Sequence, residues 1–389
     1  MRNISFTCPI CGNSDNKYIG FDIKNKPYCR LCCRLSGSKA SYKESNNVDY
    51  SLHLDYPLSE KQQEIANQIK SHLIEKHNVL VHAVTGAGKT ELIYESFKYY
   101  LSKNLKVGFA TPRKDVVIDL TPRFKDAFPK CNVVSIYGDH SSVFEGDILV
   151  LTTHQLYRYN NYFDLIVLDE IDAFPYKGNK QLETIFRKCI KGNYVLLSAT
   201  PSSSDIKKIK EDNGVVLQLF ERYHKHDLPL PTFIKGNYYS CYLKCLKYLR
   251  HFIKENKKVF VFTPTIDIGK SLYSFLSLFI KNGDFVSSKE EERSLIIERF
   301  KKGYYSYLVT TSILERGVTI ENLQVIVFRA DNTIYDCASL IQIAGRAGRK
   351  IKSPNGQVIF IGEICNDEIK KAITEIKKYN EVKNNGKVL

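Results

Sequence analysis

The chain has 389 residues, of which 43% are hydrophobic and 25% charged, so it has enough apolar material for two or three folded domains and is not a largely disordered protein. Lys and Arg outnumber Asp and Glu by 57 to 42, and the net charge of +15 favours a polyanionic partner over a merely solvated basic surface. It contains no apolar run long enough for a transmembrane helix, and its N-terminus lacks the apolar core of a signal peptide. We therefore expect a cytoplasmic protein without direct membrane insertion.

Cysteines are concentrated at the N-terminus, where five of the eleven lie in the first 33 residues. Cys8-x2-Cys11 is followed after 17 residues by Cys29-x2-Cys32, a spacing typical of a structural zinc site with four thiolate ligands. Cys33 is the alternative to Cys32 as the fourth ligand. The pairing of two C-x2-C knuckles favours Cys32.

From residue 58 onward, helical patterns alternate with short apolar strands, as is typical of a parallel sheet covered by helices on both faces. A second series of the same kind follows a proline-containing extended segment. The sequence therefore predicts an α/β chain with two tandem lobes behind a small four-cysteine module. The predicted boundaries are a zinc module at 1–36, a linker at 37–55, a first lobe at 56–226, an interlobe linker at 227–235 and a second lobe at 236–389.

A glycine-rich loop follows the first strand, where residues 83–90 read A-V-T-G-A-G-K-T before a predicted helix. This is the context of a Walker A loop, in which glycines let backbone N–H groups surround phosphates at a helix N-terminus. Lys89 is expected to contact the β- and γ-phosphates of ATP, and Thr90 to ligate Mg²⁺. The strict pattern has Gly where this chain has Ala83, so a chance match in an ordinary loop is the alternative.

An acidic sequence, Asp169-Glu170-Ile171-Asp172, ends a later apolar strand. A capped turn with surface acids is the alternative, but the phosphate loop in the same half favours a Walker B motif. Asp169 is then expected to hold Mg²⁺ through its water shell, and Glu170 to orient and deprotonate the attacking water. Asp172 is expected to link this loop to the rest of the lobe by hydrogen bonds.

Two arginines stand in the second half, in the sequence QIAGRAGR at 342–349. We predict that this segment is helical, so that Arg346 and Arg349, three residues apart, share a face. Two guanidinium groups suit a γ-phosphate held by the other lobe, and such an arginine finger typically contributes about 10³–10⁵ in rate. The alternative is a basic helix bound to a nucleic-acid backbone.

The set of TGAGKT, DEID, Ser198-Ala199-Thr200 and QIAGRAGR resembles the superfamily 2 helicases and translocases, from residue 58 to about 365. The fold that this resemblance implies is two RecA-like P-loop lobes with ATP between them. The residues predicted to bind ATP are Gln62, Thr85, Gly86, Ala87, Gly88, Lys89, Thr90, Gly317 and Gln342. The residues that the resemblance implies in coupling hydrolysis to movement are Ser198, Ala199, Thr200, Glu315 and Arg316. Those that it implies in DNA binding are Thr111, Pro112, Arg113, Thr152, Thr153, His154, Thr263, Thr310 and Thr311.

Within that superfamily the chain resembles the ComFA family of competence-associated ATPases from Gram-positive bacteria. The segments that carry this resemblance are TPRKDV at 111–116, TTHQLYR at 152–158, DEIDAFPY at 169–176 and TTSILERGVT at 310–319, together with the four-cysteine module. The chain differs from DEAD-box proteins, which carry His where it has Gln342. Primosomal DNA helicases, the second choice, carry their cysteines within the second lobe.

This resemblance implies an ATP-dependent single-stranded DNA translocase that drives DNA uptake in natural transformation, with ATP, Mg²⁺ and Zn²⁺ as cofactors. The implied partners are single-stranded DNA, the DNA-uptake channel, ComFC and DprA, which would bring the protein to the inner face of the cell membrane. Two alternatives remain open. One is a replication-restart or RNA helicase that unwinds duplexes, and the other is a scaffold whose zinc module binds a partner while ATP acts as a switch.

Overall fold

The chain divides into two compact units in a computed structural model. The model describes residues 6–33, 35, 39–41, 50–54, 56–138, 143–287, 292–311, 320–349 and 353–385. The first unit comprises Met1–Ala83 and Lys89–Leu219, and the second comprises Val84–Gly88 and Phe220–Leu389. The phosphate loop thus groups with the second unit, although the chain on either side of it belongs to the first. Glu315, Arg316 and Gly317 lie outside the described residues.

The N-terminal module begins the first unit with a two-stranded antiparallel sheet, β1 Ile19–Phe21 and β2 Pro27–Cys29. Its cysteines belong to the same buried cluster as the apolar residues of the following α/β domain. The described parts of the predicted linker also contact that domain, since the Ala40 amide donates to the carbonyl of Arg158 at 3.1 Å. The module is therefore an integral part of the first unit.

The first unit continues as a parallel sheet with helices. Its helices are α1 Glu60–Ile74, α2 Tyr94–Leu101, α3 Lys114–Ala127, α4 Lys180–Cys189 and α5 Ser203–Glu211. Its strands are β3 Asn78–Ala83, β4 Val107–Thr111, β5 Val133–Ile136, β6 Ile148–Thr152, β7 Phe163–Leu168, β8 Ile190–Ser198 and β9 Gly214–Leu219. The strand order is β5-β6-β4-β7-β8-β3-β9, and all pairs are parallel. The central strands β4, β6 and β7 are buried throughout, which explains their nearly continuous apolar sequences.

The second unit has a six-stranded parallel sheet. Its strands are β10 Thr232–Lys235, β11 Lys258–Phe262, β12 Gly283–Val286, β13 Tyr307–Thr310, β14 Leu323–Phe328 and β15 Val358–Gly362. Its helices are α6 Tyr238–Lys254, α7 Ile266–Ser277, α8 Arg293–Lys302, α9 Cys337–Ala344 and α10 Asp367–Asn385. The strand order is β10-β15-β14-β11-β13-β12. The segment predicted as an extended interlobe linker, 227–235, contains β10, which pairs in parallel with β15.

The described helices include none that combines the length and the apolar character needed to cross a bilayer. The longest of them, α10, carries charged residues in every turn.

Candidate functional site

The phosphate loop turns sharply after β3 because two of its glycines adopt left-handed backbone conformations. Gly86 has a backbone φ of +86° and Gly88 one of +76°. Residues that carry a Cβ rarely adopt such values. Lys89 Nζ donates to the carbonyl of Ala83 at 3.2 Å. The helix that follows opens with a 3₁₀ turn at Glu91–Ile93 and continues as α2.

Three motif segments follow strands that end at the carboxyl edge of the first sheet. Since its strands are parallel, β3, β8 and β7 end at the same edge, with β8 between the other two. β3 leads into the phosphate loop, β8 into Ser198-Ala199-Thr200 and β7 into Asp169. Neighbouring strands lie about 4.8 Å apart, so β3 and β7 are separated by about 10 Å, which leaves room for phosphates and a hydrated Mg²⁺.

The acidic loop is linked to the neighbouring motif by a hydrogen bond between side chains. Thr200 Oγ1 donates to Asp172 Oδ2 at 2.7 Å, and the Thr200 amide donates to Ser198 Oγ at 3.1 Å. Asp169 is buried, and its Oδ1 accepts the amide of Glu170 at 2.8 Å. Asp172 therefore has the linking role that its place in the sequence predicted.

The two arginines of the second unit do not lie on a helix, and that prediction was wrong. α9 ends at Ala344, and its last turn tightens into i→i+3 hydrogen bonds. Gly348, with φ +62°, then turns the chain away. Arg346 is buried, whereas Arg349 is half-buried and donates through Nε to the carbonyl of Gly345 at 2.9 Å.

Arg222, which no sequence motif identified, holds this segment in place. Its side chain is 1% exposed. Its guanidinium donates to four backbone carbonyl oxygens, those of Thr85 (3.2 Å), Ala347 (3.0 Å), Gly348 (2.9 Å) and Gly345 (3.0 Å). Burial, together with the like charge of Arg349, lowers the pKa of Arg222 to about 9, which still leaves it cationic at neutral pH. These bonds hold the backbone segment that follows the C-terminus of α9.

Gly345 also contacts the phosphate loop directly. Thr85 Oγ1 is 3.4 Å from the Gly345 carbonyl oxygen, to which it donates. A Cβ at position 345 would lie 1.9 Å from Thr85 Oγ1, so the contact requires glycine. Arg222 and Gly345 thus join the phosphate loop to the arginine-bearing segment within one compact unit.

The two glutamines predicted near the nucleotide are both buried. Gln62 Oε1 accepts the amide of Ser59 at 2.9 Å, while Ser59 Oγ accepts the amide of Gln62 at 3.3 Å. This capping box starts α1, so Gln62 has a structural role whatever it contributes to ATP binding. Gln342 lies in the last turns of α9.

The residues predicted to bind DNA cluster at the carboxyl ends of strands. Thr111 and Thr152 are paired at the ends of β4 and β6, and Pro112, Arg113, Thr153 and His154 follow them. In the second unit Thr263 follows β11, Thr310 ends β13, and Thr311 comes next. The hydroxyls of Thr263 and Thr310 donate to backbone carbonyls. Among the first group, Arg113 and His154 have solvent-accessible side chains, whereas the threonines are buried.

The four cysteines of the N-terminal motif converge. Cys8, Cys11, Cys29 and Cys32 are buried, and their Sγ atoms all lie within 4.8 Å of one another. The Cys11 and Cys29 sulfurs are 3.8 Å apart. A tetrahedral ion with Zn–S bonds of about 2.3 Å separates its ligands by about 3.8 Å, so the cluster fits Zn²⁺. Cys33 is exposed and donates to the carbonyl of Arg30, outside the cluster.

The cysteine cluster is also connected to α4. Gln181 Nε2 donates to Cys32 Sγ at 3.2 Å and to the carbonyl of Leu31 at 2.8 Å. Lys188 Nζ donates to the carbonyl of Pro9 at 2.8 Å. A hydrogen bond to a ligating sulfur orients it and stabilises its thiolate form.

Comparison with known proteins identifies related chains and folds. The family models described as "Type III restriction enzyme, res subunit" and "Helicase conserved C-terminal domain" match residues 55–203 and 242–350. Competence protein ComFA of Bacillus subtilis (strain 168) is 33% identical over 399 residues, covering 97% of this chain and 86% of that protein. ComFA of Streptococcus pneumoniae (strain ATCC BAA-255 / R6) is 32% identical over 375 residues, covering 91% of this chain and 86% of that protein.

Solved helicase structures share the fold. Dbp5 of S. cerevisiae bound to RNA and ADP BeF3 aligns with a TM-score of 0.62 at 15% identity, covering 83% of this chain and 91% of that one. RecG bound to a three-way DNA junction aligns with a TM-score of 0.60 at 17% identity, covering 84% of this chain and 45% of that one. These likenesses confirm the predicted fold of two RecA-like lobes.

Proposed function

The chain belongs to the ComFA family, and on that premise we propose that it is an ATP-driven motor that moves single-stranded DNA during natural transformation. It is an ATP-hydrolysing, helicase-like enzyme. The observation that carries the proposal is that β3, β7 and β8 end at one sheet edge, and these strands lead into the phosphate loop, the acidic loop and the Ser198–Thr200 segment.

The chemistry of this edge supports ATP hydrolysis. We assign phosphate binding to Lys89 and the backbone amides of the loop, and Mg²⁺ binding to Thr90 and Asp169. Mg²⁺ neutralises charge on the β- and γ-phosphates when it is bound. Glu170 orients the attacking water and accepts its proton. Arg346 and Arg349 supply positive charge to the transferring phosphoryl group. ATP contacts by Gln62, Gln342 and Gly317 complete the proposed site.

Coupling rests on the hydrogen bond between Asp172 and Thr200. Because Asp172 lies in the acidic loop and Thr200 follows β8, a change at the γ-phosphate is passed to the Ser198–Thr200 segment by a direct contact of 2.7 Å. Glu315 and Arg316 belong to the same coupling proposal, by family resemblance.

The net charge of the chain and the residues at the strand ends support DNA as the polymer along which the protein moves. A net charge of +15 favours a polyanion. Thr111 and Thr152, which we propose as phosphate contacts, end the neighbouring paired strands β4 and β6, and the solvent-accessible Arg113 and His154 follow them. Hydroxyl and amide groups contact phosphates without reading bases, so binding should be independent of sequence and weaken as salt rises.

The role in the cell is proposed from the family. We assign the motor to the cytoplasmic side of the DNA-uptake machinery, at the inner face of the membrane through partners. The uptake channel, ComFC and DprA are the proposed protein partners. The four-cysteine cluster holds Zn²⁺ as a structural ion in this proposal, since four thiolates leave no open coordination position.

Displacement of streptavidin from biotinylated single-stranded DNA tests the proposal. The full chain with ATP should displace streptavidin from one end of the strand, and Glu170→Gln should not. A forked DNA duplex and a matching RNA fork are assayed in parallel. Efficient strand separation without streptavidin displacement would favour the duplex-unwinding alternative, and activity confined to RNA would exclude the DNA motor. No ATP-dependent activity on any substrate would favour the scaffold.

A further inference from the structure

The C-terminal turn of α1 brings two histidines and a glutamate together, away from the motifs described above. Lys76 has φ +63°, and the chain reverses direction there. The amide of His77 donates to the carbonyl of His72 at 2.8 Å, and the amide of Lys76 to that of Leu73 at 3.1 Å. This bonding pattern is that of a Schellman turn, which returns His77 over the last turn of the helix. Glu75, at the helix C-cap, completes the group.

The donor atoms of the three side chains converge. Glu75 Oε2 is 3.8 Å from His72 Nδ1 and 3.5 Å from His77 Nδ1. All three donor atoms lie within 4.8 Å of one another. A tetrahedral ion with bonds of about 2.0–2.1 Å holds its ligand atoms about 3.3 Å apart, so small side-chain rotations suffice to close the group around one ion.

The two imidazole nitrogens have unusual surroundings. The side chains of His72 and His77 are 30% and 34% exposed, yet the two Nδ1 atoms are shielded from water and have no hydrogen-bond partner among the described residues. A shielded polar atom without a partner is unfavourable. A single cation between the three donors satisfies all of them.

We propose that His72, Glu75 and His77 form a second metal site, which binds Zn²⁺ with its fourth position open to water. Two imidazoles and one carboxylate are a donor set that Zn²⁺ uses in three-ligand sites, whereas Mg²⁺ and Ca²⁺ prefer oxygen ligands. The site lies immediately before β3, which begins at Asn78 and leads to the phosphate loop. The bound ion stabilises the turn between α1 and β3, the strand that leads to the phosphate loop.

Zinc stoichiometry of the full chain tests the site. Wild-type protein and variants are dialysed against a series of buffered free Zn²⁺ concentrations, and bound zinc is measured by atomic emission. Wild type should bind two ions per chain, one in each of the two donor clusters, and His72→Gln/His77→Gln should bind one. His251→Gln is the matched control, because His251 pairs with Glu255 at 3.4 Å but belongs to no donor cluster among the described residues. This control should bind as many ions as wild type.

A second variant and a spectroscopic probe separate a lost site from a misfolded chain. Glu75 is 61% exposed, so Glu75→Gln should fold normally. Loss of outer-shell partners weakens metal binding about 10–100-fold, and loss of a ligand should weaken it at least as much. Co²⁺ should give a visible d–d component that the double-histidine variant lacks, while the d–d and thiolate charge-transfer bands of the cysteine cluster remain in both proteins.

Three results would overturn the proposal. The first is equal zinc binding by wild type and the double-histidine variant over the whole concentration range. The second is an equal loss in His251→Gln, which would indicate nonspecific surface binding. The third is unchanged zinc affinity in a folded Glu75→Gln protein. None of these measurements depends on ATP hydrolysis or DNA, so they are independent of the proposed motor function.

Discussion

Replacing Arg222 by methionine should destabilise the second unit, because the guanidinium is the only group that joins four backbone carbonyls there among the described residues. Methionine has a similar length and an apolar side chain, so it fills much of the space without donating a hydrogen bond. The loss of stability then depends on which of the four carbonyl oxygens still accept a hydrogen bond from another donor.

The magnitude follows from those carbonyls. The oxygen of Gly345 still accepts from Arg349, and that of Gly348 still has His224 Nε2 at 2.9 Å. The oxygens of Thr85 and Ala347 keep no other partner among the described residues. A buried polar group left unsatisfied costs about 1–3 kcal/mol. We expect the free energy of unfolding to fall by about 2–5 kcal/mol. The variant also removes a buried charge, which is favourable and reduces the largest expected loss.

Urea denaturation and native-state hydrogen exchange measure the effect. Arg222→Met should lower the unfolding midpoint of the second unit and increase amide exchange in peptides that cover 84–88 and 345–349. Arg299→Met is the control, since Arg299 is exposed on α8 and should change the midpoint little. If Arg222→Met unfolds at the same midpoint and exchanges at the same rate as the control, the buried guanidinium does not hold these segments.

Three further variants probe the proposed site and the cysteine cluster. Arg349→Ala should lower ATP turnover by about 10³-fold or more while nucleotide affinity, measured by fluorescent-analogue binding, stays close to wild type; normal turnover would refute the finger assignment. Cys29→Ser should lose the ion of the cysteine cluster and lower the melting temperature, whereas exposed Cys33→Ser should do neither. Thr200→Val should break the hydrogen bond to Asp172 and reduce DNA stimulation of ATP hydrolysis more than basal hydrolysis; an equal reduction of both rates would contradict the coupling role.

Local motifs were predictable because their chemistry is contained in a few adjacent residues. The phosphate loop needs glycines after an apolar strand, and Gly86 and Gly88 do adopt the left-handed backbone that this requires. The cysteine spacing likewise predicted the four sulfurs that converge. The central strands were recognisable because burial on both faces demands continuous apolar sequence.

Features that depend on distant residues were missed. The helix predicted through Arg349 ends at Ala344, and Arg222, which holds the next carbonyls, is over one hundred residues away in sequence. The contact of Gln181 with Cys32 joins residues 149 positions apart, which no local pattern reveals.

The ATP hydrolysis rate with and without single-stranded DNA tests the motor most directly. Wild-type protein should hydrolyse ATP faster when single-stranded DNA of mixed sequence is added, and the stimulation should fall as salt rises. Lys89→Ala should abolish both rates. A wild-type rate that single-stranded DNA leaves unchanged, in a preparation that binds ATP, would contradict the account.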